Sequence, residues 1–405
     1  MTTLPVTAAH IHSAAAAIHG HVVRTPTLVA PRLGEMAAAR LAFKLENLQF
    51  TGSFKDRGAC LKLQRLAQSP NPPTGVIAAS AGNHAQGVAH HANRLGLAAT
   101  IVMPVSTPFA KVERTEAHGA NVVLRGESVS ESYVTARQLA DERELELIHP
   151  YDDKDIIAGQ GTAAIELFED APHLDTLVVP IGGGGLISGM AIEARRHRPD
   201  IRVIGVQTAL CPSMFARVRN EPMPVLRTNT LADGIAVKSP GELTAPIIQA
   251  LVDDILLVDE AAIETAIQVL ASHGKIVAEG AGAAAFAAVL SNRDLFRNRD
   301  VGIVISGGNI DRRLLSTVLL RGLQHDGKVA RLRIQIPDLP GTLAQITEMI
   351  GAAGADIVDI EHERLFVEVA GRHAELVVVM ETHGSSHVDR ILTSLRDAGF
   401  KAQLG

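Results

Sequence analysis

The chain has 405 residues, too many for one ordinary core, so two or three domains are expected. Hydrophobic residues make up 46% and charged ones 20%, a globular composition, and a net charge of −6 without a basic block gives nucleic-acid binding no electrostatic support. Two cysteines, Cys60 and Cys211, cannot build a disulfide framework. No basic segment precedes an apolar run at the N-terminus, and the longest apolar stretch is Gly280–Leu290, so the expectation is a cytoplasmic protein with no membrane span.

From about Thr74 to Asp311 the chain alternates apolar strands with amphipathic helices. Strands are predicted at 75–80, 99–104, 121–124, 176–181, 202–207 and 301–306, and helices at 83–95, 108–118 and 186–196. Continuous Val/Ile/Leu strands separated by helices imply parallel sheets covered on both faces, with ligands beyond the carboxyl ends of the strands. After Leu320 the style changes. Residues 321–328 read as a polar linker. Leu332, Ile334 and Ile336 then alternate with polar residues as a half-buried strand. A turn at Asp338–Gly341, a helix over 342–353, strands near 357–361 and 374–381, a helix over 387–398 and a strand over 400–404 follow. That βαββαβ order predicts a separate ferredoxin-like domain at about 329–405.

Four loops carry candidate chemistry. In Thr51-Gly52-Ser53-Phe54-Lys55-Asp56-Arg57-Gly58, Ser53 and Asp56 resemble a capping box, which puts Lys55 in a first helical turn. A cation there opposes the helix dipole, which favours the neutral amine that a Schiff-base lysine needs. An exposed lysine at a helix start is the plainer alternative. The second loop, Ser80-Ala81-Gly82-Asn83-His84, joins strand to helix, and free N–H groups there suit a carboxylate. Asn83 adds a neutral amide donor, although Asn83 or Ser80 as a simple N-cap is an equal reading. The third, Gly182-Gly183-Gly184-Gly185, lets several N–H groups converge on a phosphate without Cβ interference. It is neither GxGxxG nor a Walker motif, so it predicts no dinucleotide or nucleoside triphosphate. The fourth, Ser306-Gly307-Gly308-Asn309, places a hydroxyl at a strand end, where it could bond a heterocyclic nitrogen or cap a helix. Histidines do not recur at zinc spacing, so no metal is expected, and there is no GxSxG nucleophile elbow.

Together these loops resemble the threonine dehydratase branch of the fold-type II pyridoxal-phosphate enzymes. The matching stretches are TGSFKDRGA (51–59), ASAGNHAQGVA (79–89), GGGGLISG (182–189), DGIAV (233–237), EGAGAA (279–284) and SGGN (306–309). Each is weak alone, and their order and spacing are specific. The run IPDLPGTLAQI (336–346) resembles an ACT domain, a small amino-acid-sensing module. The resemblance implies an α/β catalytic domain over 1–320 made of two parallel-sheet three-layer subdomains, the smaller one, roughly 54–150, inserted in the larger. It implies pyridoxal 5'-phosphate held covalently by Lys55, with Phe54 near its ring. Asn83 would bond the phenolic oxygen, Gly182 to Gly185 the phosphate and Ser306 the pyridine nitrogen. Gly234 would lie beside the reacting centre and Glu279 near the ring. Ser80, Ala81, Gly82, Asn83 and His84 would bind the substrate carboxylate.

The implied reaction is removal of the α-proton by the Lys55 amine, loss of the β-hydroxyl, and hydrolysis of the released product to a 2-oxo acid and ammonia. L-threonine is the expected substrate, and L-serine a second. A neutral hydroxyl at Ser306 gives a weaker electron sink than a carboxylate would, which favours prompt elimination over transamination. Related serine racemases carry a serine where this chain has Ala81, so racemisation is not expected. They also bind a divalent ion through a carboxylate at a position that aligns with Gln207. The alternatives are a 3-hydroxyaspartate dehydratase, a threonine synthase, or a sensor with a silent catalytic half. The ACT resemblance further implies a homodimer or homotetramer and allosteric control by an amino-acid effector bound near Asp338, Gly341 and Thr342. That effector would be isoleucine or valine if the pathway is isoleucine biosynthesis.

Overall fold

The computed structural model describes residues 4–364 and 372–405. The chain divides into two compact units, Met1–Ile310 and Asp311–Gly405. In the first, the strands are β1 (Thr27–Val29), β2 (Arg40–Leu45), β3 (Gly75–Ala79), β4 (Ala98–Met103), β5 (Asn121–Leu124), β6 (Glu146–Leu147), β7 (Thr176–Pro180), β8 (Arg202–Thr208), β9 (Asp254–Val258) and β10 (Asp300–Ile305). They form two sheets, ordered β1-β2-β10-β7-β8-β9 and β5-β4-β3-β6. The smaller sheet is parallel throughout, and the larger is parallel apart from β1, which pairs antiparallel to β2 at its edge. All residues of β3 and β7 are buried, as strands covered on both faces require.

The sequence reading missed β2 because a lysine interrupts its apolar run. Lys44 is fully buried and is paired at 2.5 Å with Glu166. Glu166 also binds Arg57, which reaches Glu46 at 2.8 Å, so two cations and two carboxylates neutralise one another inside the protein. Arg57 lies on the helix Lys55–Ala67. This network therefore fixes the helix that begins with Lys55, since removing one member of a buried ion pair costs about 3–5 kcal/mol.

The second unit opens with the helix Arg312–His325, followed by β11 (Val329–Pro337), β12 (Asp356–Glu363), β13 (His373–Glu381) and β14 (Lys401–Leu404). Helices Thr342–Ala352 and Ser385–Asp397 complete a βαββαβ order, and the antiparallel sheet runs β12-β13-β11-β14. Leu332, Ile334 and Ile336 of β11 pack with Ile346, Ile350, Ile391 and Leu395 of the two helices, giving this unit a core of its own. The expected linker at 321–328 is corrected in part: residues 321–325 are the last turn of a helix, and only the turn at 326–328 separates it from β11. Polarity misled here, because most of that helix faces solvent and only Val318 and Gly322 are buried on it.

Candidate active site

The carboxyl ends of β3, β7 and β10 converge on one cavity of about 770 Å³. Phe54, Lys55, Ser80 to His84, Gly182 to Gly185, Gly234, Glu279 and Ser306 all line it. The catalytic-half residues to which the resemblance assigns a site role thus meet at one place, as the topology of open parallel sheets favours.

The helix bearing Lys55 does start at that residue, but its cap is not the expected one. Phe54 is the N-cap and no side chain caps it. Asp56 turns back and accepts from the Thr51 amide and hydroxyl, both at 2.8 Å, while the buried Ser53 hydroxyl has no partner among the described residues. The Lys55 ammonium donates to the Pro150 carbonyl at 2.7 Å and lies 5.1 Å from the centre of the Phe54 ring. Burial pulls its pKa down to about 8, against the opposing charge of Glu279. Desolvation, more than the helix dipole invoked from sequence, makes the neutral amine accessible.

At the tetraglycine loop, Gly184 has φ +96° and caps the helix Gly185–His197. The amides of Gly182 to Gly185 have no hydrogen-bond acceptor among the described residues. A Cβ at Gly183 would stand 2.3 Å from the ring of Tyr151, so only glycine fits against that ring. Unspent amides at a helix start form an anion cradle. With an accessible amine across the same cavity, this donor set fits pyridoxal phosphate.

The Asn83 side chain does not cap its helix. It donates to Glu279 at 2.6 Å and accepts from Asn309 at 2.8 Å. Ser80 accepts from the Gly82 amide. The His84 imidazole is buried and bonded to the Ile148 carbonyl at 3.0 Å, as the plainer reading of a core histidine has it. Burial depresses its pKa to about 3, so the ring is neutral. Glu279 is pushed up to about 7, chiefly by burial and then by Asp233. No helix follows Ser306 directly; the next is capped by Asp311, so Ser306 remains a cavity residue rather than a cap.

Gln207 is buried with both ends of its amide spent on the main chain, accepting from the Phe215 amide at 2.8 Å and donating to the Ile181 carbonyl at 3.3 Å. Among the described residues no group of three or more metal-ligating side chains occurs, and no helix is long and apolar enough to cross a membrane.

Sequence reasoning missed the segment His149–Asp153. Pro150 binds Lys55, and Tyr151 packs on Gly183 and donates to the Ser239 carbonyl at 2.8 Å. The Asp152 carboxylate accepts from the amides of Glu242, Leu243 and Thr244, and Asp153 caps the helix Lys154–Asp170. The PYDD run before a helical pattern was the available signal, but nothing local shows what its side chains reach.

In the second unit, Asp338 accepts from Arg364 at 3.2 Å, with His362 at 4.0 Å. Gly341, at φ +91°, precedes the helix Thr342–Ala352, and the Thr342 hydroxyl donates to the Leu339 carbonyl.

This architecture and donor set suit an enzyme that uses a phosphate-bearing carbonyl cofactor. The chain belongs to the pyridoxal-phosphate dependent enzyme family, whose model matches residues 18–307. It is 42% identical over 382 residues to the L-threonine ammonia-lyase of Geobacter sulfurreducens, covering 94% of each chain. It is 40% identical over 400 residues to that of Thermotoga maritima, covering 98% of this chain and 99% of the relative. Among solved structures, the threonine deaminase isoform 2 of Solanum lycopersicum superposes with a TM-score of 0.71 at 31% identity, covering 80% of this chain and 92% of that one. Maize serine racemase gives a TM-score of 0.72 at 34% identity, covering 79% of this chain and 98% of the racemase.

Proposed function

We propose that this chain is a threonine ammonia-lyase that converts L-threonine to 2-oxobutanoate and ammonia, and L-serine to pyruvate. The observation that carries the reading is the half-buried Lys55 amine, its pKa lowered to about 8, in one cavity with the unspent amides of Gly182 to Gly185. Lys55 would hold pyridoxal phosphate, with the phosphate on the glycine amides, Ser306 at the ring nitrogen, Asn83 at the phenolic oxygen, and Phe54, Gly234 and Glu279 around it. When bound, the cofactor supplies an electron sink for charge developing at the substrate α-carbon. The main-chain amides that open the helix at Asn83, with Ser80, Ala81 and Gly82, orient the substrate carboxylate. The Lys55 amine takes the α-proton. Its hydrogen bond to the Pro150 carbonyl aims it, and buried neutral His84 adds no competing positive charge. Ala81 offers no proton to the opposite face, so elimination is favoured over racemisation.

The second unit is read as an ACT regulatory domain spanning 329–405. Support comes from its βαββαβ order and from relatives that match this chain nearly end to end. An amino-acid effector would bind by Asp338, Gly341 and Thr342, in a homodimer or homotetramer. Two buried free cysteines suit a cytoplasmic location.

The test is 2-oxo acid release from L-threonine, L-serine, D-serine and 3-hydroxyaspartate by cofactor-loaded protein, with Lys55→Ala as control. L-threonine should turn over fastest, and the control should show neither turnover nor covalent cofactor. Faster turnover of 3-hydroxyaspartate would replace the substrate. No turnover by loaded protein would overturn the lyase reading.

A further inference from the structure

The Asn83 amide sits in a short relay whose polarity is set from outside the cavity. The Thr51 carbonyl can only accept a hydrogen bond, and it accepts from Asn309 Nδ2 at 2.7 Å. The same Nδ2 uses its second hydrogen on Asn83 Oδ1 at 2.8 Å. Asn83 must therefore present its Nδ2 elsewhere. One hydrogen of that group goes to Glu279 Oε1 at 2.6 Å, and the other has no acceptor among the described residues, beside the cavity that Asn83 lines. Two glycines admit the relay. A Cβ at Gly52 would lie 2.7 Å from Asn309 Oδ1, and one at Gly307 would lie 2.3 Å from Glu279 Oε1. Gly52 also has φ +74°, and its carbonyl accepts from the Gly308 amide at 2.9 Å, which ties the two loops together.

We infer that Asn309 and Glu279 are positioning residues that lock the orientation of the Asn83 amide, so that a donor rather than an acceptor faces the bound cofactor. An unlocked amide could turn its oxygen to the cavity and set two lone-pair-bearing atoms against each other, which costs the hydrogen bond and adds a repulsion in its place. The inference rests on the pyridoxal phosphate reading of the cavity.

The experiment titrates full-length apoprotein with pyridoxal phosphate, reading the visible absorption band and the dissociation constant, with thermal melting to confirm folding. Asn309→Asp removes the donor and adds an acceptor facing Thr51 and Asn83. It should shift the band and weaken cofactor binding about tenfold, the size expected for one mispaired buried group. Asn83→Ala should weaken binding similarly. In the Asn83→Ala background, Asn309→Asp should cost nothing further, because its target is gone. Losses that multiply in the double variant, or an Asn309→Asp protein with wild-type band and affinity, would overturn the inference. If Asn309→Asp does not fold, Asn309→Ala removes both donor hydrogens without adding charge and carries the same two comparisons. A wild-type chain that takes up no pyridoxal phosphate would instead overturn the cofactor reading itself, and the inference with it.

Discussion

At the scale of single residues, the chemistry of this site comes from desolvation. Lys55 and Glu279 are drawn into the same cavity and moved in opposite directions, the amine down to about 8 and the carboxyl up to about 7, because burial disfavours the charged form of each. For Lys55 the sign gives a direct prediction. Covalent reloading of apoprotein with pyridoxal phosphate needs the neutral amine, which becomes the major form only above a pKa of about 8. The reloading rate, followed by the growth of the visible band, should rise from pH 6 to about 8 and level off above it. A rate still climbing through pH 10 would show an unperturbed lysine. Arg57 shows the complementary case. Its charge stays buried because Glu46 and Glu166 surround it, and it stabilises the helix on which Lys55 stands rather than taking part in the chemistry.

At the scale of elements, the site is a set of strand-to-helix turns held in register by the segment that precedes the helix Lys154–Asp170. Tyr151 fills the space that a side chain at Gly183 would need, and Asp152 gathers three amides at the start of the helix Thr244–Leu251. Gly183→Ala would drive its methyl into the Tyr151 ring and displace the loop whose amides form the cradle. The expected result is at least tenfold weaker pyridoxal phosphate binding, since several converging hydrogen bonds are misaligned together, with the fold retained. Titration of apoprotein measures it, and unchanged affinity would mean that these amides do not hold the phosphate. How much of this was readable beforehand differs by element. Parallel strands such as β3 and β7 were legible because an all-apolar run between turns has few other homes. The edge strand β1 and the lysine-bearing β2 were not, because a charged residue reads as exposed until its buried partner, here Glu166, is brought to it from far along the chain. The cap at Asp56 failed for a different, local reason: the carboxylate turned back to the amide and hydroxyl of Thr51, five residues earlier, instead of pairing with Ser53.

At the scale of the whole molecule, two units with separate cores suggest two separable roles. Removing residues 329–405 should leave threonine turnover in place and abolish any response to isoleucine or valine. Turnover assayed with and without these amino acids decides it, and a response that survives truncation would sink the regulatory reading. The sequence by itself determined the alternation of strands and helices and the βαββαβ order of the second unit, and it singled out Lys55, Asn83, Gly182 to Gly185 and Ser306 as candidates, because periodicity, turn residues and loop motifs are local properties. Only the tertiary structure decided that those loops share one cavity, that burial tunes Lys55 and Glu279, and that Asn309 and Tyr151 line the same cavity. Desolvation and hydrogen-bond polarity depend on what surrounds a group in space, and the groups that surround these residues come from segments roughly a hundred or more positions away.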